Sequence, residues 1–357
     1  MKTLFSILIL FFGTQNLFSE QFLYLSNKNK KAIERYSINP KNGDLKLLDS
    51  MDLKADPGPL TVSDDNSFLL VSTGTNKKAA PQLLTIAIKE KGEMTLKATK
   101  DIPLSGKGDI SKGGKYFVQY HYRPNKLSVL ELKRYIYTDK LADSVTTTKN
   151  PHDVLFCKDK KLVFVPHNWE NKMYQFSFNN ESGKLIPLDP PFLIGPDIEK
   201  KGYANFRSMV LHPKLKVIYC TYEKGGGLAS LKYGNKGLKA WQEFSSTRKG
   251  ESAAASRVTI SPNSRFLFMS NRKKGLTSTL AVFELNLETG EIIKRVGVYD
   301  NAASMSREVE VDTSGKFLYS SSKVKDSTVL HHINEDGSLT QYKEFKIGGG
   351  PMLILEK

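Results

Sequence analysis

The sequence predicts an all-β fold made of seven copies of one unit, on three observations. An apolar hexapeptide of the type FLYLSN recurs about every 50 residues, beginning at Phe22, Phe68, Tyr116, Leu162, Val217, Phe266 and Phe317. The other apolar runs are also short, are rich in β-branched and aromatic residues, and end in turn-forming clusters. No segment sustains the three- and four-residue apolar spacing of a helix. A repeat of this length along the whole chain is typical of a propeller or a solenoid.

The unit around Phe266 shows how each copy divides into strands. Four apolar runs follow one another, with the turn sequence SPNS after the first and LETGE after the third: RVTIS, RFLFMS, TLAVFELN and EIIKRVGVY. The last unit has the same order of runs and turns. Seven units of four antiparallel strands predict a seven-bladed β-propeller of four-stranded antiparallel blades.

The two ends of the chain predict how the ring closes. The first hexapeptide, at Phe22, has no innermost strand before it. The C-terminal sequence GGGPMLILEK resembles DPGPLTVS at Asp56, which is the innermost strand of the second unit. Because an open array of blades would expose sheet edges at both ends, we expect residues 351–356 to complete the first blade and close the ring. We expect residues 20–357 to form a single propeller domain.

Residues 1–19 have the layout of a secretory signal peptide. Lys2 is followed by an apolar run from Leu4 to Phe12, a polar stretch and the small residue Ser19. That run is too short to span a bilayer, and no later stretch approaches about 20 apolar residues. We therefore predict an exported protein, periplasmic or secreted, with no integral membrane segment in the mature chain. A buried first strand in a cytoplasmic protein is the alternative.

Composition restricts the expected partners. The formal net charge of +16 at pH 7 favours small anionic ligands or acidic partners. The lysines are scattered through every unit and no nucleic-acid-binding motif accompanies them, so nucleic acid is not an expected partner. The two cysteines, Cys157 and Cys220, lie in strand-like runs of different units, which favours free, buried thiols. There is no CxxC-type spacing, and we predict neither a metal site nor a cofactor.

Positions at which the seven copies differ are the candidates for function. The residue ten before each hexapeptide begins an innermost strand, and the residue directly after each hexapeptide ends a second strand. In an antiparallel blade these two points lie at the same end of the sheet. Both sets are therefore expected at one mouth of the central channel: Gly58, Gly106, His152, Arg207, Ser256 and Arg307 from the first, and Lys28, Gly74, Tyr122, Asn168, Glu223, Arg272 and Lys323 from the second.

Four of these residues, His152, Arg207, Glu223 and Arg272, together with Arg307, predict a positively charged pocket. Arginines bind a carboxylate or phosphate bidentately and can stabilise an oxyanion. A histidine or a glutamate can move a proton or activate water. The alternative interpretation is that these are ordinary solvated loop residues.

The sequence also predicts where the remaining histidines lie and which carboxylates reach the mouth. Two histidines close their hexapeptides and are expected close behind the pocket: His121 and His167. Three others are expected to be structural: His212, His331 and His332. Glu223 and Asp153 are the only carboxylates expected at the mouth, which is too few for a calcium-dependent hydrolase.

Four stretches carry a family resemblance: SPNSRFLFMSNR at Ser261, VDTSGKFLYSSS at Val311, FRSMVLHP at Phe206 and the terminal GGGPM at Gly348. They resemble the seven-bladed β-propeller lactonases, a family of bacterial 6-phosphogluconolactonases and fungal carboxymuconate-lactonizing enzymes. The resemblance implies a site of His, Arg, Glu and Arg, which falls on the same four residues as above: His152, Arg207, Glu223 and Arg272.

Two stretches differ from the usual pattern of that family. Ser208 stands where its members usually have His. Arg257-Val258-Thr259 stands where they usually have an acidic residue, Ile and His. The identity of the substrate is therefore the part of the function that the resemblance constrains least.

The sequence thus predicts a lactonase-like hydrolase that acts on an anionic sugar lactone, of the 6-phosphogluconolactonase type, by means of activated water. Arg207, Arg272 and Arg307 would hold the lactone, and Glu223 or His152 would activate the water. Further substrate contacts are expected from three neighbouring positions: His167, Asn168 and Ser208. One alternative is an exported, non-catalytic propeller that binds an anionic ligand or a protein. The other is a muconate-lactonizing-type isomerase with His152 as its acid or base.

Overall fold

The computed structural model describes residues 19–74, 79–157, 159, 161–273 and 277–357. These residues form seven four-stranded antiparallel sheets, each of which is one blade. The prediction of an all-β, seven-bladed propeller is therefore confirmed. The predicted signal peptide lies outside the described residues apart from Ser19.

The strands of the described residues are, in chain order, β1 (Gln21–Asn27), β2 (Ala32–Ile38), β3 (Leu45–Asp52), β4 (Pro57–Val62), β5 (Phe68–Thr73), β6 (Gln82–Ile88), β7 (Met94–Asp101), β8 (Gly108–Ile110), β9 (Tyr116–His121), β10 (Lys126–Lys133), β11 (Ile136–Thr146), β12 (Leu155–Phe156), β13 (Leu162–His167), β14 (Lys172–Asn179), β15 (Lys184–Ile194), β16 (Ala204–Leu211), β17 (Val217–Lys224), β18 (Gly227–Gly234), β19 (Gly237–Ser245), β20 (Ala254–Ile260), β21 (Phe266–Arg272), β22 (Ser278–Leu285), β23 (Ile292–Asn301), β24 (Ser306–Val311), β25 (Phe317–Ser322), β26 (Ser327–Ile333), β27 (Leu339–Phe345) and β28 (Met352–Glu356).

The chain builds six of the blades from the innermost strand outwards. Blades 2 to 7 take four consecutive strands each, beginning at β4, β8, β12, β16, β20 and β24. Blade 1 has the order β28, β1, β2, β3. The described residues also include two short helices between strands: a 3-10 turn at Lys112–Gly114 and α1 (Ile198–Lys201), whose N-terminus is capped by the side chain of Asp197.

The recurring hexapeptide forms the second strand of each blade. In β9, β13, β21 and β25 every residue is buried. Neighbouring blades pack against both faces of these strands, which explains why the hexapeptide is a continuous apolar run and does not alternate. The outermost strands, such as β7, are largely exposed and carry lysines, which disfavours edge-to-edge association.

The hydrophobic core lies between neighbouring blades. One cluster, for example, joins Phe164 of blade 4 to Phe206 and Cys220 of blade 5. Cys157 belongs to the same cluster, and both cysteines are buried and free. The prediction of free, buried thiols is therefore confirmed.

The C-terminal strand closes the ring, as predicted. β28 pairs antiparallel with β1, so that Met352 lies opposite Leu25 and Ile354 opposite Leu23. It also contacts the innermost strands on both sides, β24 and β4. The preceding glycines pass very close to neighbouring backbone: a Cβ on Gly349 would lie 1.9 Å from the Ser322 carbonyl oxygen. Only glycine permits that approach.

Within the described residues, no helix is long and apolar enough to cross a membrane.

Candidate functional site

A β-bulge at the start of the innermost strands shapes the mouth of the channel. The pairing register shifts between Phe206 and Met209 in blade 5, and equivalent shifts occur in β4, β20 and β24. A bulge interrupts the alternation of side chains, so two consecutive residues can face the same side. Three such pairs line a single pocket: Arg207 and Ser208, Ser256 and Arg257, and Arg307 and Glu308.

This pocket has a volume of about 360 Å³. Its lining contains six basic side chains from blades around the ring: Lys28, Lys107, Arg207, Arg257, Arg307 and Lys323. It also contains three carboxylates: Asp153, Glu308 and Asp326. The expectation that Glu223 and Asp153 are the only carboxylates at the mouth was therefore wrong. The excess of positive charge makes the pocket attractive to anions.

Glu223 holds two of the predicted arginines together beside the pocket. An Oε of Glu223 lies 2.8 Å from Nη1 of Arg207, and the other Oε accepts a hydrogen bond from Nη2 of Arg272. The Asn168 amide donates to Glu223 at 2.6 Å. These contacts bring together four residues that the sequence placed at one mouth. Neither Glu223 nor Arg272 lines the pocket itself.

In the cluster of Glu223, Arg207 and Arg272, one negative charge pairs with two positive charges. Burial would raise the pKa of Glu223, but Arg207 and Arg272 outweigh it and lower that pKa to about 2. Burial and the neighbouring Arg207 lower the pKa of Arg272 to about 10, because together they outweigh the attraction of Glu223. The carboxylate is therefore fully ionised at neutral pH and binds two cations that repel each other.

His152 lines the pocket next to this cluster. Its ring lies beside two tyrosines, with centroids 6.2 Å from Tyr120 and 6.1 Å from Tyr122. Burial, and then Arg207, hold the pKa of His152 well below its usual value, although Glu223 acts in the opposite direction. The imidazole is therefore neutral at physiological pH.

Arg307 and Lys323 form a second group of cations in the pocket, one to which the described residues supply no paired carboxylate. Among the described residues, neither makes an ion pair within 4.0 Å, and the buried Nε of Arg307 has no hydrogen-bond partner. Burial, and then Arg207, lower the pKa of Arg307. The pKa of Lys323 is lowered first by Arg307, then by burial and by Lys28. Like charges without a counter-ion are a feature of sites that bind an anion.

A third group of charges adjoins the second, and the sequence reasoning missed most of it. Arg257 places Nε 3.8 Å from Glu308 and Nη2 3.6 Å from Glu310, while Lys107 lies 3.6 Å from Asp153. Burial raises the pKa of Glu310 to about 7, because it outweighs the attraction of Arg257. Of this network, the carboxylates Asp153 and Glu308 line the pocket together with the two cations, whereas Glu310 lies outside the lining.

The signal that would have found this group is the position nine before each hexapeptide. Counting back gives Pro59, Lys107, Asp153, Ser208, Arg257 and Glu308. All six line the pocket. The sequence reasoning used only the position one residue earlier, as normal strand alternation would require.

The three further substrate contacts predicted from the sequence lie in different environments. Ser208 lines the pocket, and its buried hydroxyl has no hydrogen-bond partner among the described residues. Asn168 lies beside Glu223 but outside the lining. His167 is fully buried, with its ring centroid 4.6 Å from that of Tyr174 and its Nδ1 3.1 Å from the Val165 carbonyl oxygen. The structure thus brings Ser208 to the pocket and leaves His167 inside blade 4.

The other histidines lie outside the pocket lining. His121 is bonded on both ring nitrogens, to the Leu104 carbonyl at 2.9 Å and the Ser128 hydroxyl at 2.8 Å. His212 accepts two backbone N–H groups in the turn after β16. Among the described residues, no three His, Cys, Asp or Glu side chains are grouped as metal ligands would be.

Comparisons with known proteins find relatives that match nearly the whole chain. A 6-phosphogluconolactonase of Yersinia pestis is 25% identical over 348 residues, which cover 94% of this chain and 97% of the relative. One of Yersinia enterocolitica is 24% identical over 343 residues, covering 94% of this chain and 98% of the relative.

Two solved structures share the fold. The periplasmic gluconolactonase of Pseudomonas aeruginosa superimposes with a TM-score of 0.84 at 16% identity, covering 94% of this chain and 99% of its own. A protein from Lactobacillus plantarum has a TM-score of 0.78 at 17% identity, covering 95% and 100%. The family model described as "Lactonase, 7-bladed beta-propeller" matches residues 21–355. Because that match spans nearly the whole propeller, the chain belongs to the seven-bladed β-propeller lactonase family.

Proposed function

We propose that this protein hydrolyses an anionic sugar lactone in the pocket at the mouth of the channel. The observation that carries the proposal is the division of the pocket cations into two groups. Arg207 is fixed next to Arg272 through the shared partner Glu223, whereas Arg307 and Lys323 have no paired carboxylate within the described part of the chain. The first group is suited to a charge that develops during the reaction, and the second to a charge that the substrate already carries.

The first group supports stabilisation of the oxyanion. When water adds to a lactone carbonyl, negative charge develops on the carbonyl oxygen, and donors already in place stabilise it without reorganising. Arg207 is such a donor, because its guanidinium lines the pocket and is held at 2.8 Å by Glu223. Glu223, with a pKa of about 2, is a weak proton acceptor. We therefore assign Glu223 the role of a positioning residue for the two arginines.

The second group supports a substrate with a permanent anionic group. In the free protein, burial and Arg207 lower the pKa of Arg307, and Arg307 in turn lowers the pKa of Lys323. A bound phosphate or carboxylate would offset this repulsion between the cations. The relatives from Yersinia are named for a phosphorylated lactone, and the Pseudomonas neighbour for an unphosphorylated one. The unpaired cations favour the phosphorylated class for this chain.

We also propose that the protein is exported. The layout of residues 1–19 supports this location, and the Pseudomonas neighbour is a periplasmic protein. N-terminal sequencing of the protein from its native host tests the proposal. A mature chain that begins near residue 20 is expected, whereas a mature chain that keeps Met1 contradicts export.

The test of the activity compares 6-phosphogluconolactone with gluconolactone, with the spontaneous hydrolysis subtracted. The wild type should hydrolyse the phosphorylated lactone with the higher kcat/KM. Lys323→Gln should raise KM for that substrate by about 10-fold, since a hydrogen bond to a charged group contributes about 1.5–3 kcal/mol. It should leave the kinetics with gluconolactone nearly unchanged. Arg207→Ala should lower kcat for both substrates.

The matched control is Lys46→Gln, which removes an exposed lysine on the outer strand β3. It should leave both substrates unaffected. A wild type without activity above background would favour the alternative of a non-catalytic binding protein. Full activity in Arg207→Ala would contradict the assigned mechanism.

A further inference from the structure

Two glutamates that contact pocket cations, Glu223 and Glu308, differ in how many partners their carboxylates have. Glu223 contacts Arg207, Arg272 and Asn168 and does not line the pocket. Glu308 lines the pocket. Its closest ionic contact is with Arg257, whose Nε lies 3.8 Å from a carboxylate oxygen of Glu308. That distance is too long for a hydrogen bond, and the buried Nε of Arg257 has no hydrogen-bond partner among the described residues. Glu308 therefore has oxygens available to a substrate or to water.

From this geometry, and resting on the proposed lactonase function, we infer that Glu308 is the catalytic base that accepts the proton from the attacking water. The bulge in β24 places Glu308 directly beside Arg307, so the base lies next to the cations that would hold the substrate anion. On the other side it faces Arg257 of β20. No other glutamate lines this pocket in the described part of the chain.

The electrostatic surroundings of Glu308 support this role. Burial raises its pKa above the usual value, and this effect outweighs Arg257, Lys107 and Arg207, while Asp153 acts in the same direction as burial. Other charged or titratable groups that Glu308 acts on electrostatically are Glu310, Arg307, Lys28 and Tyr120. A base is most effective when its pKa approaches the working pH, so raising the pKa of a carboxylate suits it to proton transfer.

The charge that results from proton transfer also favours Glu308 over His152. A proton on His152 would create a third buried cation beside Arg207 and Arg272, and burial together with these arginines already holds the pKa of this histidine down. A proton on Glu308 instead replaces a buried anion by a neutral acid. Transfer to Glu308 therefore avoids placing new charge in the pocket.

The step balances without any further reactant. The water oxygen bonds to the carbonyl carbon while one of its protons passes to a carboxylate oxygen of Glu308, and the carbonyl π electrons move onto the carbonyl oxygen. The intermediate then re-forms the carbonyl and breaks the bond to the ring oxygen, which takes the proton back from Glu308. One water is consumed and a hydroxy acid is formed, which afterwards ionises in solution. Glu308 ends the cycle as the carboxylate.

Kinetics of two substitutions on the same strand test the inference. Glu308→Gln should lower kcat by at least about 100-fold, the usual contribution of general base catalysis, with KM changed by less than about 3-fold. The control is Glu310→Gln, because Glu310 also pairs with Arg257 but does not line the pocket. It should keep kcat within about 3-fold of the wild type.

A pH profile separates a catalytic role from a structural one. Since the base must be ionised, wild-type kcat/KM should fall as the pH falls through the raised pKa of Glu308. This acid limb should persist in Glu310→Gln, remain in Glu308→Asp at an about 10-fold lower rate, and vanish in Glu308→Gln. Far-UV circular dichroism confirms that each variant is folded, and Glu308→Asp provides the comparison if Glu308→Gln does not fold.

The outcomes that overturn the inference are distinct from those that overturn the proposed function. If Glu308→Gln keeps more than about a third of the wild-type kcat, or Glu308→Asp keeps all of it, Glu308 is not the base. The same conclusion follows if the acid limb survives in Glu308→Gln and disappears in Glu223→Gln. If the wild type hydrolyses no lactone at all, the proposed function fails and the inference fails with it.

Discussion

Replacing Glu223 by Gln should destabilise the fold by an amount that depends on pH. The two arginines lower the pKa of Glu223 from 4.5 to about 2 in the folded protein. Each unit of difference corresponds to about 1.4 kcal/mol, so the ionised carboxylate contributes about 3 kcal/mol to the free energy of unfolding. Glutamine has nearly the same shape but no charge, and it leaves Arg207 and Arg272 without their common partner.

The direction of the pH dependence follows from the lowered pKa. A carboxylate whose pKa is lower in the folded state stabilises it fully above the unfolded pKa of about 4.5, and this stabilisation disappears as the pH falls through about 2. The difference between wild type and Glu223→Gln should therefore shrink from about 3 kcal/mol at about pH 7 to about 1 kcal/mol at about pH 3.

Urea unfolding of both proteins at the two pH values measures this difference. The control is Glu90→Gln, which removes an exposed carboxylate in the turn between β6 and β7. It should leave the free energy of unfolding unchanged at both pH values. A wild-type advantage below about 1 kcal/mol at neutral pH, or one that is equal at both pH values, would show that the arginines do not depend on Glu223.

Two further predictions concern closure of the ring. Truncation after Gly350 removes β28 and its three buried apolar side chains, worth about 1.5–3 kcal/mol each and together comparable to the whole stability of a domain. The truncated chain should show no cooperative thermal unfolding by circular dichroism, and an unchanged melting temperature would refute the closing role. Gly349→Ala should lower the melting temperature, because the new Cβ would lie 1.9 Å from the Ser322 carbonyl oxygen. The control is Gly234→Ala, whose Cβ would meet no atom within 4 Å and should be tolerated. Equal melting temperatures for the two variants would contradict this prediction.

The fold could be predicted from the sequence because every blade packs its second strand between its neighbours in the same way. The second strand of each blade is buried between neighbours, so it must be apolar at each position, and that requirement produced the hexapeptide that marks the repeat. The closing strand was predictable for the same reason, since residues 351–356 repeat the pattern of an innermost strand. These features depend on local sequence and on position in the repeat.

The site was only partly predictable, because it depends on where a regular strand becomes irregular. Arg207, Glu223 and Arg272 were predicted at the mouth because each occupies the position that regular blades place there. The structure brings the three together, although only Arg207 lines the pocket. Glu308 was missed because strand alternation would turn it away from Arg307, and only the bulge in β24 brings both into the pocket. His167 is the converse case, because it was expected to contact the substrate but lies outside the pocket. It ends the buried strand β13 one residue before the mouth position, so alternation turns its ring into the blade.

A glycine at one of the predicted mouth positions helps to make the pocket asymmetric, although the blades around it are similar. Gly106 occupies in blade 3 the position that Arg207 and Arg307 occupy in blades 5 and 7. A Cβ at Gly106 would lie 2.0 Å from the ring of Tyr120, so glycine is what admits that ring to the pocket beside His152. A side chain of any size here would displace the tyrosine. The absence of a side chain in one blade therefore shapes the site as much as the arginines in the others do. Seven identical blades would offer an asymmetric ligand seven equivalent orientations, whereas different residues at equivalent positions favour one of them.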